Sequence, residues 1–122
     1  MRKRYLTITL SPDWRAALRA TAKRAKADTY QGEVLNFQTP AQFFGQLTEK
    51  RWGLLYAAQG RGALSVRELA RVVGRDVKRV HEDVIVLATL GMLERTEQGG
   101  VICPFESMHI DMLLKPASAE LV

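Results

Sequence analysis

Charged side chains whose types and spacing could bind a polyanion lie in residues 65–90, with the sequence SVRELARVVGRDVKRVHEDVIVLATL, although the largest excess of positive charge lies in residues 1–47. Arginine and lysine can pair with guanine O6 and N7, and a carboxylate can accept from cytosine N4. The residues placed to meet base edges in this way are Lys78, Arg79 and Glu82. Other arginines suit phosphates, whose contacts fix position without reading sequence: Arg67, Arg71 and Arg75. The alternative is an ordinary solvated helix face, on which Lys78 and Glu82 merely pair.

The spacing of apolar residues predicts that Arg67 and Arg71 lie on a helix with a defined start. Ser65 can accept from the backbone N–H of Glu68 while the Glu68 side chain reaches back to the N–H of Ser65, which is a capping box. Four apolar residues then recur on one helical face: Val66, Leu69, Ala70 and Val73. Gly74 suits the left-handed conformation that ends a helix.

A second helix is predicted directly after this turn. Asp76 can cap its start and Gly91 can end it. One apolar stripe runs along it: Val77, Val80, Val84, Leu87 and Ala88. Lys78 and Arg79 fall on the opposite side, near the N-terminus, where recognition helices carry their contacts. The sequence therefore predicts a helix-turn-helix whose second helix, about residues 76–90, enters the major groove of DNA.

Further elements are predicted on both sides of this helix pair. Thr39 with Pro40, and then Thr48, can begin two helices. Their expected apolar positions are Phe43, Phe44, Leu47, Trp52, Leu55 and Tyr56. Ala63 and Leu64 form a possible short strand, and residues 92–96 and 101–103 form a hairpin around a glycine turn. Helix, short strand, helix, helix, hairpin is the order of a winged helix.

The hairpin tip is a second candidate for nucleic-acid contact. Arg95 and Gln98 could reach the minor groove or flanking phosphates. Glu94 and Glu97 lie in the same hairpin and would repel phosphates if they faced them. The hairpin is therefore a weaker candidate than the second helix.

The N-terminal segment is basic and contains a strand and a helix. Residues 4–10 alternate in the two-residue period of a half-buried strand, and Ser11 is expected to cap a helix with Pro12 at its first position. The inner stripe of this helix is Trp14, Ala17, Leu18, Thr21, Ala22 and Ala25, and its basic residues are Arg15, Arg19, Lys23, Arg24 and Lys26. Three interpretations of this basic face stay open: it is solvated, it contacts phosphates, or it contacts an acidic partner. Residues 34–37 form a second strand or a connector.

The C-terminal segment alternates in the same way around residues 108–114, which predicts another strand followed by a loose tail. The two terminal strands could pair with each other or with a second subunit. We divide the chain into an N-terminal arm (1–38) that could form a dimer contact or contact a partner, a winged helix-turn-helix (39–104), and a C-terminal strand with its tail (105–122). The predicted fold class is α+β.

The composition fits one globular domain. The chain has 122 residues, 47% of them hydrophobic and 25% charged, with a net charge of +5. Only two of its basic side chains, against five acidic ones, fall in residues 92–122, so the positive charge lies before them. A single cysteine, Cys103, excludes an intramolecular disulfide and fits a reducing compartment. Because there is no long apolar run and no signal-peptide pattern, we expect a cytoplasmic protein with no membrane partner.

Other chemistries have little support in the sequence. His81 lies at the margin of an apolar stripe and is expected to be a partly buried structural residue. Cys103, His109 and Asp111 could suggest a metal site or a Cys–His nucleophile, but no paired metal-ligand spacing occurs. No glycine-rich phosphate loop is followed by Lys and Ser or Thr. We expect no enzyme, no metal and no cofactor.

Four segments between residues 47 and 111 carry a family resemblance: KRW at 50–52, LSVRELARVVGRDVKRVHEDV at 64–84, LGMLER at 90–95 and GGVICPFE at 99–106. With these segments the chain resembles the MarR-like winged-helix transcriptional regulators of bacteria and archaea. The resemblance implies a DNA-binding fold that is usually dimeric. It also implies a possible toxin partner, since some relatives are antitoxins encoded beside small toxin proteins.

Two functions are compatible with these expectations. The first is a sequence-specific regulator that binds double-stranded DNA as a homodimer at a palindromic site and represses transcription. The alternative is an antitoxin-type interaction module, which neutralises a neighbouring toxin through the arm or the terminal strands and autoregulates its operon. An antitoxin can perform both functions.

Overall fold

The computed structural model describes residues 3–25 and 30–113, and within them the fold is α+β. None of the helices in these two ranges is long and apolar enough to cross a membrane. The elements in chain order are β1 (Arg4–Leu10), α1 (Trp14–Ala25), β2 (Glu33–Phe37), α2 (Pro40–Gln46), α3 (Glu49–Ala58), α4 (Val66–Val73), α5 (Val77–Thr89), β3 (Glu94–Arg95), β4 (Val101–Ile102) and β5 (Phe105–Asp111).

The terminal strands pair with each other in a parallel sheet of order β2-β1-β5. Ile8 lies opposite Leu35 of β2 and Ile110 of β5. The predicted alternation of β1 is confirmed, because Leu6 and Ile8 are buried while Tyr5 is exposed. Of the alternatives left open by the sequence, the described residues therefore adopt pairing within one chain, with β1 in the centre. The segment at residues 34–37 is a strand and not merely a connector.

A second, smaller sheet contains the predicted hairpin. β3 and β4 are antiparallel, with Glu94 opposite Ile102. Leu64 adds a third segment through two backbone hydrogen bonds with Val101, at 2.8 and 2.7 Å between nitrogen and oxygen. The short strand predicted at Ala63 and Leu64 is therefore a single bridging residue that ties the start of α4 to the hairpin.

One hydrophobic core contains residues of the N-terminal arm, of the central helices and of the C-terminal strand. Leu6 and Ile8 of β1 belong to the same cluster as the helical residues Leu54, Leu69 and Leu87. Phe105 of β5 completes it from the C-terminal side. The parallel sheet thus packs on the helices as part of one body.

Most helix starts are capped as predicted. Side-chain oxygens of Thr39, Thr48, Ser65 and Asp76 accept from backbone N–H groups three residues later, at the starts of α2, α3, α4 and α5. The cap of α1 differs, because Asp13 accepts from the N–H of Ala16 at 3.0 Å. The expected cap, Ser11, accepts at Oγ from the N–H of Asp13 at 3.3 Å, and its backbone N–H donates to Phe37 O at 2.9 Å, which holds it beside the sheet.

Several apolar residues expected on inner helix faces are exposed. Leu18 of α1 is 58% exposed and Ala22 is exposed too, so the predicted inner stripe of α1 is wrong at both positions. Phe44 and Tyr56 are 67% and 82% exposed, whereas Phe43 and Leu55 are buried. The burial of Trp14, Ala17, Thr21 and Ala25, and the predicted tail, lie outside what the structure describes.

Candidate nucleic-acid interface

Local hydrogen bonds define both ends of α4. Ser65 Oγ accepts from the N–H of Glu68 at 3.0 Å, and Glu68 Oε1 accepts from the N–H of Ser65 at 3.1 Å, which is the predicted capping box. The hydrogen bond from the backbone of Ser65 lowers the pKa of Glu68. At the other end Gly74 has a φ of 68°, in the left-handed region. Arg75 N–H then donates to Ala70 O at 3.0 Å, which closes the turn before α5.

Helix α5 presents a charged face at its N-terminal half. Asp76 Oδ2 accepts from the N–H of Arg79 at 3.2 Å and caps the helix. Val80, Val84 and Leu87 are buried, so α5 packs on its predicted apolar stripe. The opposite side carries three exposed side chains, which form no ion pair among the described residues: Lys78, Arg79 and Glu82. These side chains are free to meet a ligand.

Helix α4 adds two exposed arginines. Arg67 lies in its first turn and Arg71 in its last turn, and both side chains face solvent. Neither is paired with a carboxylate within the part of the chain that the structure describes. The α4–α5 unit therefore presents four exposed basic residues: Arg67, Arg71, Lys78 and Arg79.

Arg75 differs from the other predicted phosphate contacts because its side chain is turned inward. Its Nη2 lies 2.7 Å from Asp83 Oδ2 of α5, and its side chain is only 19% exposed. Arg51 of α3 donates from Nε to the other oxygen, Asp83 Oδ1, at 3.0 Å. Burial raises the pKa of Asp83, but the hydrogen bonds from Arg75 and Arg51 outweigh this effect and leave the pKa lowered. Arg75 is thus part of an internal ion cluster.

Sequence reasoning missed Arg51 and Asp83 as members of this cluster. A signal was present, because Asp83 falls beside Val84 and between Val80 and Leu87 on the buried side of α5. A carboxylate at such a position is rarely buried without a partner. The identity of the partners could not be predicted, since Arg51 lies on a different helix.

The hairpin exposes Arg95 and Gln98, as expected, together with Glu97. Its turn is closed by Thr96, whose N–H donates to Gly100 O and whose Oγ1 accepts from Gly100 N–H, both at 2.9 Å. The backbone holds the tip in a defined position, although one exposed carboxylate lies beside the two candidate contacts.

Glu94 does not add a free negative charge to the hairpin. Arg4 Nη1 donates to Glu94 Oε2 at 3.0 Å. The same guanidinium binds Glu33 through Nε and Nη2, at 2.9 and 2.7 Å, and lies 5.1 Å from the centre of the Phe105 ring. The hydrogen bond with Glu33 raises the pKa of Arg4 and lowers that of Glu33. Sequence reasoning did not identify Arg4, which removes the repulsion expected from Glu94.

Most acidic residues around the helix pair are therefore occupied. Glu68 and Asp76 cap helices, Asp83 lies between two arginines, and Glu94 pairs with Arg4. Among the described residues of the α4–α5 unit and the hairpin, the carboxylates left exposed without an ion pair or a capping role are Glu82 and Glu97. The exposed basic residues of these elements, Arg67, Arg71, Lys78, Arg79 and Arg95, outnumber these two carboxylates, although the capping carboxylates keep their negative charge.

The residues considered for other chemistry do not come together. His81 is exposed on α5, so the expectation of a partly buried histidine is wrong. Cys103 is buried, and its burial raises the pKa of the thiol, whereas His109 and Asp111 are exposed on β5. No three metal-binding side chains cluster within residues 3–25 and 30–113.

These features define an α+β protein with a capped helix pair, a basic outer face and a short hairpin. Residues 46–110, more than half of the chain, match the model of the HVO_A0114 family, and the chain belongs to that family. The match covers α3, α4, α5, the hairpin and most of β5. No curated protein matches the chain.

Proposed function

We propose that this protein is a sequence-specific regulator of transcription that binds double-stranded DNA. One observation carries the proposal: α5 is anchored by buried Val80, Val84 and Leu87, and exposes Lys78 and Arg79 on the opposite side of its first turn. A recognition helix needs this division, with a rigid inner side and donors near its N-terminus.

The proposal includes a winged helix of the MarR-like type, formed by α3, α4, α5 and the hairpin. Its support is the element order and the bridge from Leu64 to Val101, which joins the segment before α4 to the hairpin. In this arrangement α5 lies in the major groove, α4 crosses the backbone and the hairpin lies beside the duplex.

The exposed side chains divide by the kind of contact they make. Lys78, Arg79 and Glu82 meet base edges and therefore determine sequence preference. The residues that bind phosphates and add affinity for every sequence are Arg67 and Arg71, with Arg95 and Gln98 contributing from the hairpin. Arg75 does not belong with these DNA contacts, because its guanidinium is bound to Asp83.

We further propose that two copies act together on a palindromic site and repress transcription by occupying it. A symmetric dimer places its two recognition helices about 34–36 Å apart, one turn of the duplex. In the antitoxin alternative the partner would bind α1 or the outer edge of β5, because β1 already has a neighbour on each side.

The experiment is a selection of bound duplexes from a random-sequence library, followed by affinity measurements against a scrambled duplex of equal length and composition. Wild type is expected to enrich a palindrome, and Arg79→Ala and Lys78→Ala to lose preference for it. The matched control is Arg19→Ala, which removes one exposed positive charge from α1 and is expected to keep the preference. Equal binding of all duplexes by wild type refutes the proposal.

A further inference from the structure

We propose that Arg75, Asp83 and Arg51 form a positioning cluster. This cluster sets the orientation of α5 on the DNA, and its three side chains do not contact the DNA. This inference rests on the proposed function, since it concerns how the reading helix is held. It gives Arg75, a residue that looks like a phosphate contact in the sequence, a different task from those of Arg71 and Arg79.

The cluster joins α5, the turn before it and α3 at one carboxylate, and extends to α2 through Arg51. Arg75 lies in the turn between α4 and α5, directly after Gly74, and donates to Asp83 Oδ2 two helical turns further along α5. Arg51 donates to Asp83 Oδ1 from the first turn of α3, and its Nη1 donates to Gln46 O at the end of α2, at 2.8 Å. Asp83 thereby links α5 to the turn and to α3, and Arg51 extends this link to the end of α2.

Burial prevents Arg75 from reaching a phosphate in this arrangement. Its Nη2 is used by Asp83, and its Nη1 is buried with no hydrogen-bond partner among the described residues. The side chains of Arg51, Arg75 and Asp83 are 21%, 19% and 16% exposed, respectively. To meet a phosphate, Arg75 would have to leave Asp83, and Asp83 would then retain one of its two partners.

The position of the cluster connects it to base reading. Lys78 and Arg79 lie in the first turn of α5, between the two ends of the contact from Arg75 to Asp83. Hydrogen bonds to base edges require accurate placement of the donors, whereas phosphate contacts depend mainly on charge. Loss of the cluster should therefore lower discrimination between sequences more than it lowers the salt-dependent part of the affinity.

The test measures two quantities for each full-length variant. The first is the ratio of affinities for the selected duplex and the scrambled duplex. The second is the slope of log affinity against log salt concentration, whose magnitude falls by about 0.9 for each phosphate that the protein no longer binds. Arg75→Gln is expected to lower the affinity ratio about tenfold and to leave the slope unchanged. Arg71→Gln, the matched control, is expected to reduce the magnitude of the slope and to leave the ratio of affinities unchanged.

A double-substitution cycle tests whether Arg75 acts through Asp83. If it does, Arg75→Gln combined with Asp83→Asn lowers the affinity ratio no further than the larger single effect. If the two reductions multiply, or if Arg75→Gln reduces the slope as Arg71→Gln does, Arg75 acts on DNA directly and the inference is overturned. The proposed function survives that result.

Two further checks separate a loss of folding, and a failure of the proposed function, from a failure of this inference. Circular dichroism and thermal unfolding identify the temperature range in which every variant is folded, and binding is measured there. If Asp83→Asn does not fold, Arg51→Gln replaces it in the cycle, because it removes the other partner of the same carboxylate. A wild type that binds no duplex overturns the proposed function and this inference together, whereas a selective wild type with a salt slope dependent on Arg75 overturns the inference alone.

Discussion

Arg4 and Glu94 form an ion pair with 3.0 Å between Nη1 and Oε2, which joins the central strand of the parallel sheet to the base of the hairpin. Arg4 also binds Glu33 of β2, so one guanidinium connects β1, β2 and β3. The smaller sheet and the larger sheet are therefore linked by side chains as well as by the core. The hairpin proposed to lie beside DNA depends on a residue near the start of β1.

Replacing Arg4 tests this link. Arg4→Met removes hydrogen bonds to two carboxylates and the contact with the Phe105 ring, and leaves Glu94 unpaired. Because the groups are partly exposed, we expect a loss of about 1–2 kcal/mol in the free energy of unfolding. Urea denaturation measures it. Lys3→Met is the control: its pair with Glu106 is long, at 3.9 Å, and exposed, so a comparable loss there would contradict the role given to Arg4.

Acid should weaken the ion cluster at Asp83. The folded protein lowers the pKa of this carboxyl, since the hydrogen bonds from Arg75 and Arg51 outweigh the effect of burial. Its stabilisation is therefore present above the unfolded-state pKa of about 4 and is lost as pH falls through the lower folded value. We expect Asp83→Asn to lower the unfolding free energy by about 2–3 kcal/mol at pH 7.

The pH dependence separates this charge effect from a loss of packing. The difference in unfolding free energy between wild type and Asp83→Asn should shrink as pH is lowered from about 5 towards about 2, and chemical denaturation at each pH measures it. Asp111→Asn, an exposed carboxyl on β5, serves as the control and should show little difference from wild type at any of these pH values. If the difference in unfolding free energy between wild type and Asp83→Asn stays constant with pH, packing and not charge is responsible for it.

Two glycines with opposite surroundings give a paired test of the backbone. A Cβ on Gly100 would lie 2.7 Å from Leu64 O, a backbone atom in the bridge to Val101, whereas a Cβ on Gly53 of α3 meets nothing within 4 Å. Gly100→Ala is expected to destabilise by about 1–3 kcal/mol, and Gly53→Ala to stabilise by about 0.5–1 kcal/mol. Thermal unfolding of the two variants measures whether Gly100→Ala destabilises and Gly53→Ala stabilises the protein. Equal changes in stability would be inconsistent with the close approach at Gly100.

The two sides of α5 should respond differently to truncation. Leu87 is fully buried, and Leu87→Ala is expected to cost about 2–5 kcal/mol through reduced burial and the remaining cavity. Ile85, two residues away, is 44% exposed, so Ile85→Ala should cost less than about 1 kcal/mol. Urea denaturation of both variants measures the difference. A reversed order would mean that α5 packs on another face.

The starts and ends of the helices could be predicted because they depend on neighbouring residues. Ser65 and Glu68 are three residues apart, and their hydrogen bonds form within one helical turn. Gly74 was recognisable because the left-handed conformation is accessible to glycine at little cost. The exception, Ser11, has its N–H bound to Phe37 O, a partner that local spacing does not identify.

Contacts between distant residues were beyond the reach of sequence patterns. The two terminal strands were recognised by their alternation, but alternation says nothing about which strand pairs with which. The sequence predicts that Arg75 binds phosphate, whereas in the structure Arg75 binds Asp83, and only the packing of α3 against α5 brings Arg51 to the same carboxylate. The α+β class was predictable, whereas the side chains that fix its parts relative to one another were not.

The parallel pairing of β1 with β5 has a consequence for the order of events during synthesis. Leu6 lies opposite Met108, so the central strand leaves the ribosome long before one of its two neighbours exists. The contacts between α4 and α5 are local and can form in the meantime. Pulsed hydrogen exchange during refolding is expected to show amide protection in the helix pair before β1. The helix pair proposed to read DNA then forms early, while the parallel sheet is completed by β5, a strand that follows α4, α5 and the hairpin in the chain.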